Sequence, residues 1–209
     1  MRDRVVSAAD TVIVFIDLQE GIVNVGATND VERLRTSAAA LADLATIFAL
    51  PTLMSCVPTT GGTVAPPVSE IAARLPNLEP LSRTAPDAMD DPRFRVALES
   101  FGRKTVVLAG VATEVAVRQA ALAAHRLGFH TVVAVDACGG LGSRTETATF
   151  IHLSAVGIEL SSVPTIAAQL AGDFSSERGR AAMRALQSTL AVRPHEHDTS
   201  PHGSPQNED

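Results

Sequence analysis

The chain has no tryptophan and no tyrosine, and only 3% of its 209 residues are aromatic. A core built from it must therefore be aliphatic, and the aromatic platforms on which single-stranded nucleic acids stack are nearly absent. The formal net charge is −6, and lysine and arginine do not cluster. Because nucleic-acid binding depends on neutralising phosphates, nucleic acid is not expected as a partner.

Long hydrophobic runs and a disulfide framework are also missing. No apolar stretch approaches the roughly 20 residues that span a bilayer. The apolar run near the N-terminus is broken by Asp10 and Asp17, which argues against a signal peptide. Only two cysteines are present, Cys56 and Cys138. These features predict a cytoplasmic protein that makes no membrane contact.

Short β-branched apolar runs alternate with alanine- and leucine-rich stretches of helical periodicity. Continuous apolarity is typical of strands buried on both faces of a parallel sheet. The alternation predicts one α/β domain over residues 1–192, and the polar residues 193–209 are predicted to form a flexible tail. Strands are predicted over 11–16, 51–57, 104–109, 131–137 and 157–163, and helices over 31–50, 66–75, 91–102, 113–128, 143–155 and 176–191.

Candidate functional groups follow the predicted strands, because open α/β sheets bind ligands where the carboxyl ends of strands meet. Asp17 follows the first strand, where burial would raise its pKa and suit it to proton transfer; the alternative is an Asp that caps a turn. Arg83 either clamps an anionic substrate, pairs with Asp17 or lies on the surface. Gly110 precedes a helix that begins near Thr113. The free backbone amides at the start of that helix can hold a developing oxyanion.

The two cysteines are interpreted first as packing residues. Cys56 ends the second strand and Cys138 lies in the loop DACGG, and a catalytic thiol is the alternative for each. The sequence has no G-x-G-x-x-G or Walker-type phosphate loop and no G-x-S-x-G elbow. No cofactor is expected.

Four stretches resemble the isochorismatase-like cysteine hydrolase superfamily, and within it the YcaC-like branch. They are VIVFIDLQEG (12–21), SRTAPDAMDDPRF (82–94), KTVVLAGVATEVAV (104–117) and VVAVDACGGLGSRTETA (132–148). The resemblance implies a Rossmann-like three-layer α/β/α sandwich with a mostly parallel sheet of about six strands. It also implies a homo-oligomer that hydrolyses a small molecule at an amide or a related C–N or C–O bond.

The resemblance further implies a site made of an acid, a basic residue and a cysteine. These map onto Asp17, Arg83 and position 116, where this chain has Ala116. A cis peptide is implied between Val111 and Ala112. It would aim the amides of Ala112 and Ala116 at an oxyanion.

Alanine at position 116 excludes a covalent cysteine mechanism, and three explanations remain open. In the first, the alanine is an engineered replacement of cysteine. In the second, the natural protein lacks the cysteine and Asp17 works with water, and in the third the protein binds a small molecule without turnover. The second has a parallel in kind, because true isochorismatases use an Asp and water without a cysteine. A further hypothesis moves thiol chemistry to Cys56 or Cys138.

Other positions narrow the range of possible substrates. Nicotinamidases of the superfamily carry metal-binding Asp and His residues after the second strand, but residues 55–70 contain no histidine here, so no metal is expected. Asp87-Ala88-Met89 stands where Asn and an aromatic residue are usual, which weakens the case for a flat aromatic substrate. The expected substrate-binding residues are Gln19, Asp87, Met89 and Thr113.

Overall fold

The computed structural model describes residues 5–191, so the predicted tail over 193–209 lies outside the described residues. Its six strands form one sheet in the order β3-β2-β1-β4-β5-β6, and every neighbouring pair is parallel. This confirms the predicted parallel sheet. The strands are β1 (Thr11–Ile16), β2 (Thr52–Cys56), β3 (Leu81–Ser82), β4 (Thr105–Val111), β5 (His130–Gly139) and β6 (Glu159–Ser161).

Helices cover both faces of the sheet and complete the three layers. Residues of α1, α6 and α7 pack in the apolar cluster on one face, and residues of α3, α4 and α5 pack in the cluster on the other. Within residues 5–191, no helix combines the length and apolarity that crossing a membrane requires. The helices are α1 (Val31–Phe48), α2 (Ser69–Ala72), α3 (Pro92–Ser100), α4 (Arg118–Arg126), α5 (Ser143–Ala155), α6 (Val163–Ala171) and α7 (Glu177–Ala191).

Several elements differ from the sequence-based expectation. The helix predicted over 66–75 is reduced to Ser69–Ala72, and Cys138, expected in a loop, lies in β5. The sequence patterns did not predict α6, because its first residue, Val163, reads as the end of an apolar strand. The strand β3 has only two residues, too few to show any periodicity. The helix expected over 113–128 begins as a π-helical turn, Thr113–Val117, with Ala112 at its N-cap.

The strand order reverses direction at β1, because β2 pairs on one side of it and β4 on the other. Such a reversal opens a crevice at the carboxyl ends of the two diverging strands. Ile16 at the end of β1 stands opposite Gly110 near the end of β4. A Cβ on Gly110 would lie 2.2 Å from the carbonyl oxygen of Ile16, so only glycine permits this approach. The segments that begin at Asp17 and Ala112 therefore leave the sheet side by side.

Candidate active site

Asp17 and Arg83 form a buried, bidentate ion pair at the end of β1. Nη1 of Arg83 donates to Oδ1 of Asp17 and Nη2 donates to Oδ2, each at 2.8 Å. Each residue is only 5% exposed. The backbone amide of Arg83 donates to the carbonyl of Cys56, which fixes the arginine beside the end of β2. The arginine is therefore not a surface residue, and its partner is the acid.

The environment of this pair perturbs the acid and leaves one donor of the arginine without a partner. Burial raises the pKa of Asp17, and the hydrogen bonds and positive charge of Arg83 oppose that shift. Asp17 adopts a φ of 55°, a left-handed conformation that is uncommon for residues other than glycine. Within the described residues, Nε of Arg83 is buried with no hydrogen-bond partner. The guanidinium thus has a donor that its contact with Asp17 does not use.

The turn after β4 contributes backbone groups. The peptide bond between Val111 and Ala112 is cis, at the position that the resemblance implied. Val111 is fully buried and Ala116 is 5% exposed. The amide of Ala116 donates to the carbonyl of Ala112 at 3.1 Å, so it acts on an oxyanion only by sharing its hydrogen with that carbonyl.

Asp87 and Met89 lie on the face of the sheet that carries Ala116. Met89 and Ala116 belong to the same apolar cluster. Asp87 accepts a hydrogen bond from the amide of Met89 at 2.9 Å, and its Oδ2 lies 3.7 Å from Nη2 of Arg126. Burial raises the pKa of Asp87. Contact of these residues with a substrate stays a prediction.

Gln19 and Thr113 direct their polar atoms into the protein. Nε2 of Gln19 donates to the carbonyls of Val57 and Ala65, and Oε1 accepts from the amide of Val57. The hydroxyl of Thr113 donates to Oε1 of Glu146 at 2.7 Å. Gln19 and Thr113 are both fully buried. These bonds indicate structural roles, and substrate binding by the two residues stays a prediction.

Cys56 and Cys138 are both buried, at 0% and 1% exposure. Burial raises the pKa of each thiol to about 12. Because the thiolate is the reactive form, these surroundings favour the packing interpretation over thiol catalysis.

We expect neither cysteine to react with iodoacetamide in the folded protein. At about pH 8, a thiol with a pKa near 12 is roughly one part in 10⁴ thiolate. Labelling in native buffer should be at least about 100-fold slower than in guanidinium chloride, as followed by mass spectrometry with peptide mapping. Rapid modification of either cysteine in the folded protein would instead support the thiol hypothesis.

A cavity of about 440 Å³ opens beside Arg83, and Asp17 is not part of its lining. Residues 82–85 and 90–93 line it, and Arg83 is the member of the candidate site among them. Within residues 5–191, no three His, Cys, Asp or Glu side chains are grouped so that they could hold a metal ion. The independence of the site from metal stays a prediction.

Glu114 and Glu146 are two polar residues near the turn that the sequence analysis did not single out. Glu114 accepts hydrogen bonds from the amide of Leu141 at 2.9 and 3.0 Å and from the hydroxyl of Thr145 at 2.6 Å. The sequence signal for this contact is the glycine pair at 139–140. A Cβ on Gly140 would lie 3.0 Å from both carboxylate oxygens of Glu114.

A parallel sheet with a buried acid–guanidinium pair and a strand-to-helix turn at its topological switch point defines an α/β protein with an enzyme-type crevice. The protein-family model of the Isochorismatase domain matches residues 11–165 of the sequence. The chain therefore belongs to the isochorismatase family.

Similar proteins are named as hydrolases. The probable hydrolase YcaC of Escherichia coli K12 is 30% identical over 169 residues, which cover 80% of this chain and 81% of that protein. The crystal structure of YcaC from Escherichia coli, an octameric hydrolase of unknown specificity, superposes with a TM-score of 0.84 at 26% identity, covering 91% of this chain and 93% of that one. YcaC from Pseudomonas aeruginosa, solved with hexane-2,5-diol and covalent acrylamide, superposes with a TM-score of 0.84 at 25% identity, covering 91% and 94%.

Proposed function

We propose that this protein hydrolyses a small molecule at an amide or a related C–N or C–O bond. Asp17 is the acid or base, Arg83 positions Asp17 or the substrate, and the amides of Ala112 and Ala116 polarise the reacting oxygen. With alanine at position 116, water attacks directly and no acyl-enzyme forms. The observation that carries the proposal is the buried bidentate ion pair at the switch point of the sheet.

The geometry of the ion pair is compatible with proton transfer. An ionised carboxylate offers about four lone-pair sites, and Arg83 uses one on each oxygen of Asp17. Each oxygen therefore keeps a site for a water molecule or for a substrate hydrogen. The acid and an attacking water can then meet at Asp17.

A second candidate function is binding without turnover, and the methyl side chain of Ala116 is the observation that favours it. A panel of amide, carbamoyl and vinyl-ether compounds separates the two functions. A hydrolase releases product above the buffer rate. A binding protein shows ligand-dependent thermal stabilisation without product, and that result with every class of the panel would overturn the proposed hydrolysis.

We propose that the chain assembles with copies of itself. The Escherichia coli YcaC that it resembles over 91% of its length is octameric. In this chain, α5 exposes 65% of Ile151 to solvent, next to a cavity of about 490 Å³ lined in part by Phe150 and Leu160. Apolar side chains exposed together on a helix are typical of protein–protein contacts.

We expect Ile151→Asp to lower the mass of the assembly. The substitution places a charge in a contact that would otherwise be desolvated. Val96→Asp on α3 is the matched control, because Val96 is similarly exposed, at 61%. Size-exclusion chromatography with light scattering measures the mass. An unchanged mass for Ile151→Asp would remove α5 from the interface.

A further inference from the structure

Glu114 ties the turn at position 116 to the loop that follows β5. Its carboxylate accepts from the amide of Leu141 at 2.9 and 3.0 Å and from the amide of Gly142 at 3.3 Å. The hydroxyl of Thr145, in the first turn of α5, donates to it at 2.6 Å. Glu114 lies two residues before Ala116, inside the π-helical turn. One carboxylate thus connects the turn to the start of the next helix.

A second contact runs parallel to the first. The hydroxyl of Thr113 donates to Oε1 of Glu146 on α5 at 2.7 Å. Adjacent residues of the turn are therefore both fixed to α5. Gly140 makes room for the pair of acids, because a Cβ there would lie 2.8 Å from Cβ of Glu146 and 3.0 Å from the Glu114 carboxylate. The absence of a side chain at position 140 allows this approach.

The hydrogen bonds favour the ionised form of Glu114. Burial raises the pKa of this carboxyl, but the bonds from Thr145 and from the amides of Leu141 and Gly142 outweigh burial and leave the pKa below its usual value. Charge-assisted hydrogen bonds of this kind are stronger than neutral ones. The contact is suited to hold a backbone segment in one conformation.

We propose that Glu114 is a positioning residue, which holds the turn over 112–116 in register with the loop over 140–142 and so orients the amides of the turn toward the reacting group. This inference rests on the proposed hydrolase function. Glu114 itself is not assigned a contact with the substrate. Its effect passes through the backbone of its own turn.

A thiol introduced at position 116 reports on this orientation without any substrate. Backbone amides at the start of a helix lower the pKa of a nearby thiol. The pH midpoint of alkylation by acrylamide in the Ala116→Cys variant therefore measures how well the turn is aligned. Cys56 and Cys138 do not interfere, because both are buried with pKa values near 12.

Two effects of Glu114→Gln on that midpoint have opposite signs. Removing a negative charge close to the thiol favours the thiolate and lowers the midpoint. Releasing the turn misaligns the amides and raises the midpoint. Thr145→Val removes the donor at 2.6 Å without changing any charge, so it isolates the second effect.

In the Ala116→Cys background, we expect Glu114→Gln to raise the alkylation midpoint by about one pH unit. At a fixed pH below the midpoint, this corresponds to roughly tenfold less thiolate. Thr145→Val should raise it by less. Glu99→Gln, an exposed glutamate on α3, should leave it unchanged. The positioning role would be overturned if the alkylation midpoint falls or stays constant in both Glu114→Gln and Thr145→Val. This holds whether the melting temperature of the variants is unchanged or lowered.

The same variants in the Ala116 chain separate this inference from the proposed function. If the chain is a hydrolase, Glu114→Gln lowers kcat and leaves KM nearly unchanged, as expected for groups that act in the transition state. If no compound is turned over, the hydrolase proposal fails while the alkylation midpoint still tests Glu114. A change in KM alone would contradict the positioning role.

Discussion

Replacing Asp17 with asparagine is expected to lower turnover by about 10²–10⁴-fold, the range that one general acid or base contributes. Asparagine keeps the size of the side chain but can no longer accept or release the proton. It also breaks the symmetric contact in which both carboxylate oxygens accept from Arg83. The measurement is kcat/KM for any compound of the amide, carbamoyl and vinyl-ether panel that the unsubstituted chain hydrolyses.

The variant needs a folding control, because it leaves the guanidinium of Arg83 buried beside a neutral partner. Breaking a buried ion pair costs about 3–5 kcal/mol. Circular dichroism and the melting temperature show whether the fold survives, and Arg83→Lys, which keeps the charge, is a second probe of the pair. Asp43→Asn is the matched control, since Asp43 also pairs with an arginine, at 2.9 Å, but outside the site. Full turnover in folded Asp17→Asn would refute the assignment.

The pH profile of the unsubstituted chain assigns the role of Asp17. Because burial raises its pKa, the limb that reports its ionisation lies above pH 3.8, the value of a free Asp. If Asp17 is the base, kcat/KM rises with pH through that limb, because the carboxylate is the active form. If Asp17 is the acid, kcat/KM falls through the same limb. The limb should be absent from Asp17→Asn.

Introducing cysteine at position 116 is expected to turn an inert site into one that forms covalent adducts. The chain with Ala116 has a methyl group there and should take up no acrylamide in native buffer, whereas Ala116→Cys should take up one molecule per chain. The covalent acrylamide found with Pseudomonas aeruginosa YcaC supports the choice of reagent. Intact mass and peptide mapping measure the adduct.

The same variant should gain or greatly increase amidase activity, because a thiolate in the proposed site can attack the substrate carbonyl and form an acyl-enzyme. Ala116→Ser is the matched control: it adds a hydroxyl of similar size whose proton is far harder to remove. If the folded Ala116→Cys variant stays unmodified at position 116 while the denatured variant labels fully, the turn does not face an accessible cleft.

The sheet could be read from the sequence because each long strand is a continuous apolar run. Thr11–Ile16, Thr105–Val111 and the core of His130–Gly139 are buried on both faces, which is what such runs predict. The strand Leu81–Ser82 has no pattern of its own, and pairing with β2 alone defines it. The helix Val163–Ala171 was missed because its first residue continues the apolarity of the strand before it.

The candidate site was predictable as a set of positions but not as a set of contacts. The position of Asp17 after a strand suggested the acid, yet only the fold brings Arg83 to it, 66 residues away in sequence. The hydrogen bonds of Gln19 to Val57 and Ala65 could not be predicted from its position, and its expected contact with a substrate stays a prediction. Glu114 was overlooked because a glutamate in a helix normally indicates a solvated face. Its partners lie in a loop 27 residues further on.

The close approach at Gly110 limits how this site can diversify. With no room for even a methyl group between β4 and the carbonyl of Ile16, the spacing of the two strands is set by main-chain atoms alone. Substitutions within the strands cannot widen or narrow the gap between acid and turn without separating the sheet. Side chains of the surrounding loops are therefore the positions at which we expect a change of substrate preference to leave the sheet intact.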